Sequence, residues 1–233
     1  MNASEVFGRS NIYVIADNCS DELIDFIRTE GFSFEQTSLG NSPSFKYALI
    51  KAVKEYGDDD IIYFLEDDYL HLQGSRELIT EGLDIADYVT LYDHYDQYMK
   101  YPPEKSAAPL NRWNFHSWRI FLTEHSHWRE TPSTTMTFAA RVKTLKKDYK
   151  ILMDNPDKGT PNDFQMFMML TKQNSFIDIV KIMAARFKRI TILMLLNKIA
   201  FFRKKRLLIS SIPGRSTHCE KKWLSPLTDW TKV

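Results

Sequence analysis

The sequence predicts an α/β fold: a single domain over residues 1–233, with a central, mostly parallel sheet flanked by helices. Three observations predict it. Strand-length apolar runs alternate with amphipathic, helix-length segments in the order βαβαβ through the first 68 residues, an order that closes right-handed, doubly wound sheets. Ser, Pro and Gly punctuate the changes of period. The apolar runs end in polar or acidic residues, which places those residues beyond the carboxyl ends of strands, where open sheets collect ligands.

Taken in order, "NIYVIADN" reads as a buried strand, and "SDELIDFIRTEG" as a helix with Ser20 as N-cap and Gly31 as its stop. "FSFEQTSLGN" alternates as a second strand. "SPSFKYALIKAVKEYG" is a helix opened by Ser42 and Pro43 and ended by Gly57, and "DDIIYFLEDD" is the third strand. Asp17, Asn18, Asn41 and the triplet Glu66, Asp67 and Asp68 are thereby expected along one sheet edge. "SRELITEGLDIA" and "DYVTLYDHYD" repeat the helix and strand pattern. Residues 98–114 lack a period and read as a loop. "SWRIFLTE" and "STTMTFAARVKTL" are strands, the second running into a helix. In "TPNDFQMFMMLTKQ", Thr160 is the N-cap and Pro161 the first helical residue, so Asp163 falls in the first turn. The natural division is residues 1–97 and residues 98–233, two halves of one domain.

Charged residues make up 26% of the chain and aromatics 13%, with a formal net charge of +1, which excludes a disordered or generally nucleic-acid-coating protein. Two distant cysteines, Cys19 and Cys219, give neither a disulfide framework nor a Cys-rich zinc site. With an acidic, polar N-terminus and no span of membrane length, a soluble cytoplasmic protein is expected. The segment 181–206 mixes large apolar residues with Arg186, Lys188, Arg189, Lys198, Arg203, Lys204, Lys205 and Arg206. It reads as a helix packed on the domain with a solvated basic face, or as a peripheral contact with an anionic membrane.

The chemistry concentrates in "IIYFLEDDYL". Adjacent carboxylates repel, and placing them beside a buried strand is costly without a cation or several donors. Hard oxygen ligands favour Mg²⁺, Mn²⁺ or Ca²⁺, with shell positions left for phosphate oxygens. In extended backbone Glu66 and Asp68 share a side and Asp67 points away. A run of three acids after a strand is also what a solvated turn looks like; its place at the end of the third strand is what distinguishes it.

In "LEDDYL", "GNSPSFKYAL" and "SIPGRSTHCE" the chain resembles GT-A nucleotide-sugar-dependent glycosyltransferases, including their small viral and bacterial members. The resemblance implies a Rossmann-like GT-A domain that binds a nucleotide-diphosphate sugar with Mn²⁺ or Mg²⁺ through a DXD-type signature. It implies Asp68 as direct metal ligand, Glu66 on the ribose or on metal-bound water, and Asp67 supporting the turn. Asn41, Ser44 and Lys46 would lie near the nucleotide, with Asp17 and Asn18 on the same edge, and His218 would be a further metal ligand. A carboxylate at the start of a helix beyond the acceptor strand matches Asp163, the candidate base of an inverting transfer to a glycan or other hydroxyl acceptor. Asp in a first turn is also favoured by the helix dipole alone. Asp93 and Asp96 are rival bases. Tyr92, His94, Tyr95, Trp113, Trp118 and Trp128 are candidate sugar-packing rings. His125 and His127 alternate as a metal pair would, yet lack a third ligand. Two other functions fit the acids: a metal-dependent phosphotransferase or nuclease, and a catalytically silent nucleotide-sugar-binding module.

Overall fold

The computed structural model describes residues 1–95, 98, 119–154, 163–172 and 204–233. Most of the 98–114 loop, the Thr160–Pro161 cap, the helix expected after Asn174, and Asp96, Trp113 and Trp118 lie outside these residues. The fold is a mixed α/β domain with a six-stranded sheet flanked by helices.

The chain opens with α1 (Asn2–Phe7), then β1 (Tyr13–Asp17), α2 (Asp21–Thr29) and β2 (Ser33–Thr37). β1 and β2 pair in parallel from Tyr13↔Ser33 to Asp17↔Thr37, as a βαβ unit requires. The Leu23 amide donates to the Ser20 hydroxyl at 3.4 Å, and Gly31 follows α2 at a φ of 72°, a left-handed value suited to glycine. Ile24 and Ile27 pack on Ala16, Val14 and Phe34. α3 (Asn41–Glu55) begins one residue earlier than expected, because Gly40, with φ 88°, turns the chain and its carbonyl accepts from Ser44 at 2.9 Å.

β3 (Ile61–Phe64), β4 (Tyr69–His71), α4 (Ser75–Ile85) and β5 (Tyr88–Thr90) follow. Next come β6 (Ile120–Leu122), β7 (His127–Glu130), β8 (Phe138–Arg141), α5 (Val142–Met153), α6 (Asp163–Thr171), β9 (Leu208–Ile212) and β10 (Ser216–His218). The large sheet runs β3-β8-β5-β9-β7-β6. It departs from the mostly parallel sheet expected: β5 and β9 pair in parallel, while β3–β8, β8–β5, β9–β7 and β7–β6 are antiparallel. Two strands cause it: β8 enters between β3 and β5 from far along the chain and runs against both, and β7 runs against β9 and β6, while β1 and β2 pair as a separate two-stranded sheet rather than beside β3. The centre of β8 is small, Ala139 and Ala140 both fully buried, so helices close over either face.

Because β8 opposes both neighbours, β3 and β5 still point the same way, and β9 joins them. Their carboxyl ends therefore share one edge. Alternation along the strands sends Tyr88, Phe138, Ala140 and Leu208 to a core with α3, α5 and α6, and Val89, Ala139 and Ile209 to a core with α1 and α4. Gly82 of α4 marks how close the second layer lies: a Cβ there would meet the Val89 side chain at 2.8 Å and Trp128 at 2.9 Å.

The sheet's far end is tied by charge. Arg206 donates to both oxygens of buried Asp148 at 2.8 and 3.1 Å and to Asp87 at 3.0 Å, and the Tyr88 hydroxyl donates to Asp148 at 2.8 Å. Lys205 donates to Glu130 at 3.0 Å. These two cations of the basic segment thus face protein carboxylates rather than a separate surface. The Arg206 amide also donates to the Leu170 carbonyl at 2.9 Å, so the chain rejoins β9 beside the end of α6. Among the described residues no helix is long and apolar enough to cross a membrane, and both cysteines are free.

Candidate functional site

The site lies where β3, β5 and β9 end and β8 begins. β3 stops at Phe64, and Asp67 and Asp68 form a turn into β4, so the strand alternation used to orient the triplet ends before it. The three acids are nonetheless unequal. Asp67 and Asp68 are exposed and Glu66 is half-buried. Burial, then the charges of Asp68 and Asp163 and lastly Asp67, raise the Glu66 pKa from 4.5 to about 7, against a hydrogen bond from Thr137. Thr137 bridges the notch: its hydroxyl accepts from the Glu66 amide at 3.2 Å and lies 3.4 Å from the Glu66 carboxylate.

A short antiparallel ribbon delivers His218. β10 pairs with β4 in the register His218↔Tyr69, Thr217↔Leu70 and Ser216↔His71. Tyr92 bridges to Ser216, and the Cys219 amide donates to the Asp68 carbonyl at 2.7 Å. His218 Nε2 consequently lies 3.0 Å from Asp68 Oδ2. Nδ1 accepts the Glu220 amide at 3.1 Å, which puts the ring proton on Nε2, donating to Asp68.

Asp163 begins α6 and accepts from the Phe164 amide at 2.6 Å. Burial raises its pKa from 3.8 to about 6, against that amide and the charge of His94. Two residues distant in sequence from the triplet, Asp163 and His218, are therefore gathered with it. The rival base Asp93 is fully buried, accepts from Arg129 at 2.7 Å and takes the Tyr98 hydroxyl as a further donor. It is a structural ion pair and not a base open to an acceptor. Trp128 is likewise fully buried, donating from its indole nitrogen to Thr123 at 2.7 Å. His125 is exposed and bonded to Glu81 at 3.2 Å, and His127 is exposed at the start of β7.

On the β1 edge, the Asp17 carboxylate organises the loop into α3. It accepts from Thr37 at 2.8 Å, the Leu39 amide at 2.6 Å, the Gly40 amide at 2.8 Å and Asn18 at 2.9 Å. Burial opposes ionisation there, but these donors outweigh it and lower the pKa. Asn18 sits at a left-handed φ of 54° and accepts from Ser38 at 2.7 Å. Asn41 is exposed at the first position of α3, with Ser44 and Lys46 half-buried in the turn that follows.

The donor chemistry suits a hard divalent cation in part. Among the described residues no three His, Cys, Asp or Glu side chains form a preassembled cage. Yet the 3.0 Å between Asp68 Oδ2 and His218 Nε2 equals the separation of adjacent corners around an octahedral ion with bonds of about 2.1 Å. A cation there would replace the shared proton, and the Glu220 amide would have to release Nδ1.

Sequence reasoning missed Thr135 and Thr137, which line the floor, Thr135 accepting from the Tyr69 hydroxyl at 2.9 Å. The only signal was the hydroxyl-rich "STTMTF" before an apolar strand. Compared with protein-family models, curated proteins and solved structures, the chain matches none.

Proposed function

We propose that the chain is a metal-dependent GT-A glycosyltransferase that moves a sugar, with inversion, from a nucleotide-diphosphate sugar to a hydroxyl of a glycan or other acceptor. The observation that carries this reading is the gathering of Glu66, the Asp68–His218 pair and Asp163 along one sheet edge, with two of the carboxyls held well above their ordinary pKa.

In this reading Asp68 and His218 hold Mn²⁺ or Mg²⁺, which when bound neutralises the charge developing on the diphosphate. Glu66 faces the ribose or the metal's water, and Asp67 supports the turn. The loop shaped by Asp17 and Asn18 presents Asn41, Ser44 and Lys46 to the nucleotide. Asp163 accepts the proton of the acceptor hydroxyl as its oxygen bonds to the anomeric carbon; the bond from that carbon to the diphosphate breaks, and its electrons leave with the nucleotide diphosphate. A pKa of about 6 leaves Asp163 mostly ionised at neutral pH while giving it more basicity than an exposed aspartate. The finer GT-A architecture, the division into residues 1–97 and residues 98–233, a cytoplasmic location and peripheral membrane contact through 181–206 belong to the same proposal.

Thermal-shift titration with UDP, GDP, CDP and dTDP sugars, each with and without Mn²⁺, tests it. Metal-dependent stabilisation by one donor, lost in Asp68→Ala, is the expected result. If no nucleotide stabilises the protein in a metal-dependent way, the reading fails.

A further inference from the structure

Tyr69 touches His218 on one side and the floor of the notch on the other. It begins β4 directly after Asp68 and is buried. Its partner across the β4–β10 ribbon is His218. The Cys219 amide donates to the Asp68 carbonyl at 2.7 Å and the Leu72 amide to the Arg215 carbonyl at 2.9 Å. By alternation Tyr69 and His218 are then a non-hydrogen-bonded pair, the kind in which cross-strand side chains approach most closely. The two rings meet edge-on, with centroids 5.4 Å apart and planes at 75°. The Tyr69 ring is itself held in place. Its hydroxyl donates to Thr135 at 2.9 Å, and it meets the Tyr92 ring edge-on at 5.5 Å and 90°.

Three contacts orient the His218 ring: Asp68 Oδ2 lies 3.0 Å from Nε2, the Glu220 amide nitrogen lies 3.1 Å from Nδ1, and the Tyr69 ring packs against it. They differ in what they require of the imidazole. The Glu220 contact needs a bare Nδ1, which in the neutral ring puts the proton on Nε2. If Nε2 instead gives its lone pair to a cation, the neutral ring carries its proton on Nδ1 by exchange with water, and two N–H groups then face each other at Glu220. That contact is lost in the very state in which the ring must stay aimed. The Tyr69 contact is ring against ring and survives either tautomer.

We infer that Tyr69 is a positioning residue for His218: its buried ring, anchored on Thr135, keeps the imidazole aimed at the Asp68 carboxylate once the Glu220 amide is released. The inference rests on the reading of Asp68 and His218 as metal ligands. Removing the ring lets His218 turn about its side-chain torsions, so cation binding weakens although no ligand atom has been removed. Removing only the hydroxyl leaves a ring between Tyr92 and His218.

Two measurements on the full-length chain test it: Mn²⁺ binding followed by water-proton relaxation, and the His218 ring nitrogen shifts followed by NMR with diamagnetic Mg²⁺. Asp68→Ala marks the site. Tyr69→Leu is expected to weaken Mn²⁺ binding by about tenfold or more, the scale of a lost partner behind a metal ligand, and Tyr69→Phe to stay within about threefold of the wild type. Tyr69→Met, which fills the space flexibly and without a ring, is expected to match Tyr69→Leu and replaces it if that variant does not fold. In the wild type the His218 proton is expected on Nε2 without metal and on Nδ1 with Mg²⁺. The inference is overturned, and the metal reading kept, if the ring-free variant binds Mn²⁺ as the wild type does or if Tyr69→Phe loses binding equally. A His218 that keeps its proton on Nε2 in the Mg²⁺-loaded protein overturns it as well, and removes His218 from the ligand set while leaving Asp68. A wild type that binds no Mn²⁺, or that binds it equally well after Asp68→Ala, ends the metal reading and the inference together.

Discussion

Two of the sheltered carboxylates in this molecule, Asp148 and Glu66, are treated oppositely. At one end of the sheet Asp148 is answered in full: Arg206 meets both oxygens, the Tyr88 hydroxyl adds a third donor, and Asp87 shares the guanidinium. At the other end Glu66 receives Thr137, and the charges around it are Asp68, Asp163 and Asp67, all of its own sign. Among the described residues Glu66 makes no ion pair. A buried charge with its counter-charge built in is a structural device. A sheltered acid whose charged neighbours are all of its own sign is arranged for something that arrives from outside, which is why this edge, and not the ion-pair corner, carries the functional reading.

The contrast can be broken by mutation. On the transferase reading the largest expected effect is on chemistry: Asp163→Asn should lower the transfer rate by about 10² to 10⁴-fold while leaving metal-dependent nucleotide binding nearly unchanged and, because burial raises the Asp163 pKa to about 6, without loss of stability at neutral pH. Full transfer in that variant would return Asp163 to the role of a helix-start residue. Next comes Asp148→Ala, which leaves Arg206 half-buried without its main partner and should cost about 3–5 kcal/mol in urea unfolding with no selective effect on donor binding. Tyr88→Phe removes one donor from the same corner and should cost about 1 kcal/mol.

The pH dependence is the most diagnostic effect, because its sign differs. Glu66 binds its proton more tightly folded than unfolded, with a pKa of about 7 against 4.5. The associated stability is complete below about pH 4.5 and is lost as pH rises through 7. Buried His71, lowered to about 4 from 6.5, works the other way: its contribution is present above pH 6.5 and lost as pH falls through 4. The wild type alone therefore mixes two slopes. The difference between wild type and Glu66→Gln isolates one, and in metal-free protein that variant should gain stability relative to wild type as pH increases from 5 to 8. A variant no better at pH 8 than at pH 5 would mean that Glu66 is already compensated.

Much of the first third of the chain is legible because its order is local. The Ser20 cap, the Gly31 stop and the parallel pairing of β1 with β2 all follow from periods and punctuation within a few residues. The position of Glu66, Asp67 and Asp68 beyond a strand is legible for the same reason. What the sequence conceals is distant pairing. No local pattern reports that β8 slips between β3 and β5, or that the three-residue strands β4 and β10 zip together and carry His218 to Asp68. Solvent access is hidden too. Asp93 and Trp128 carry the residue types of a sugar site, but Arg129 and the core claim them. Even within the triplet, which acid turns inward was decided by the strand ending at Phe64 and not by alternation.

The hydrogen bond from the Arg206 amide to the Leu170 carbonyl has a consequence for how this chain can vary. It brings two distant points of the chain to one place: the carbonyl near the end of α6 and the amide just ahead of β9 are one hydrogen bond apart. Ends that meet in this way can be spanned by a short joint, because closing a short loop between neighbouring points costs little entropy. A few glycines and serines from Lys172 to Lys204 are therefore enough to splice α6 to β9, and the parallel pairing of β9 with β5 is the contact that reports whether the splice is tolerated.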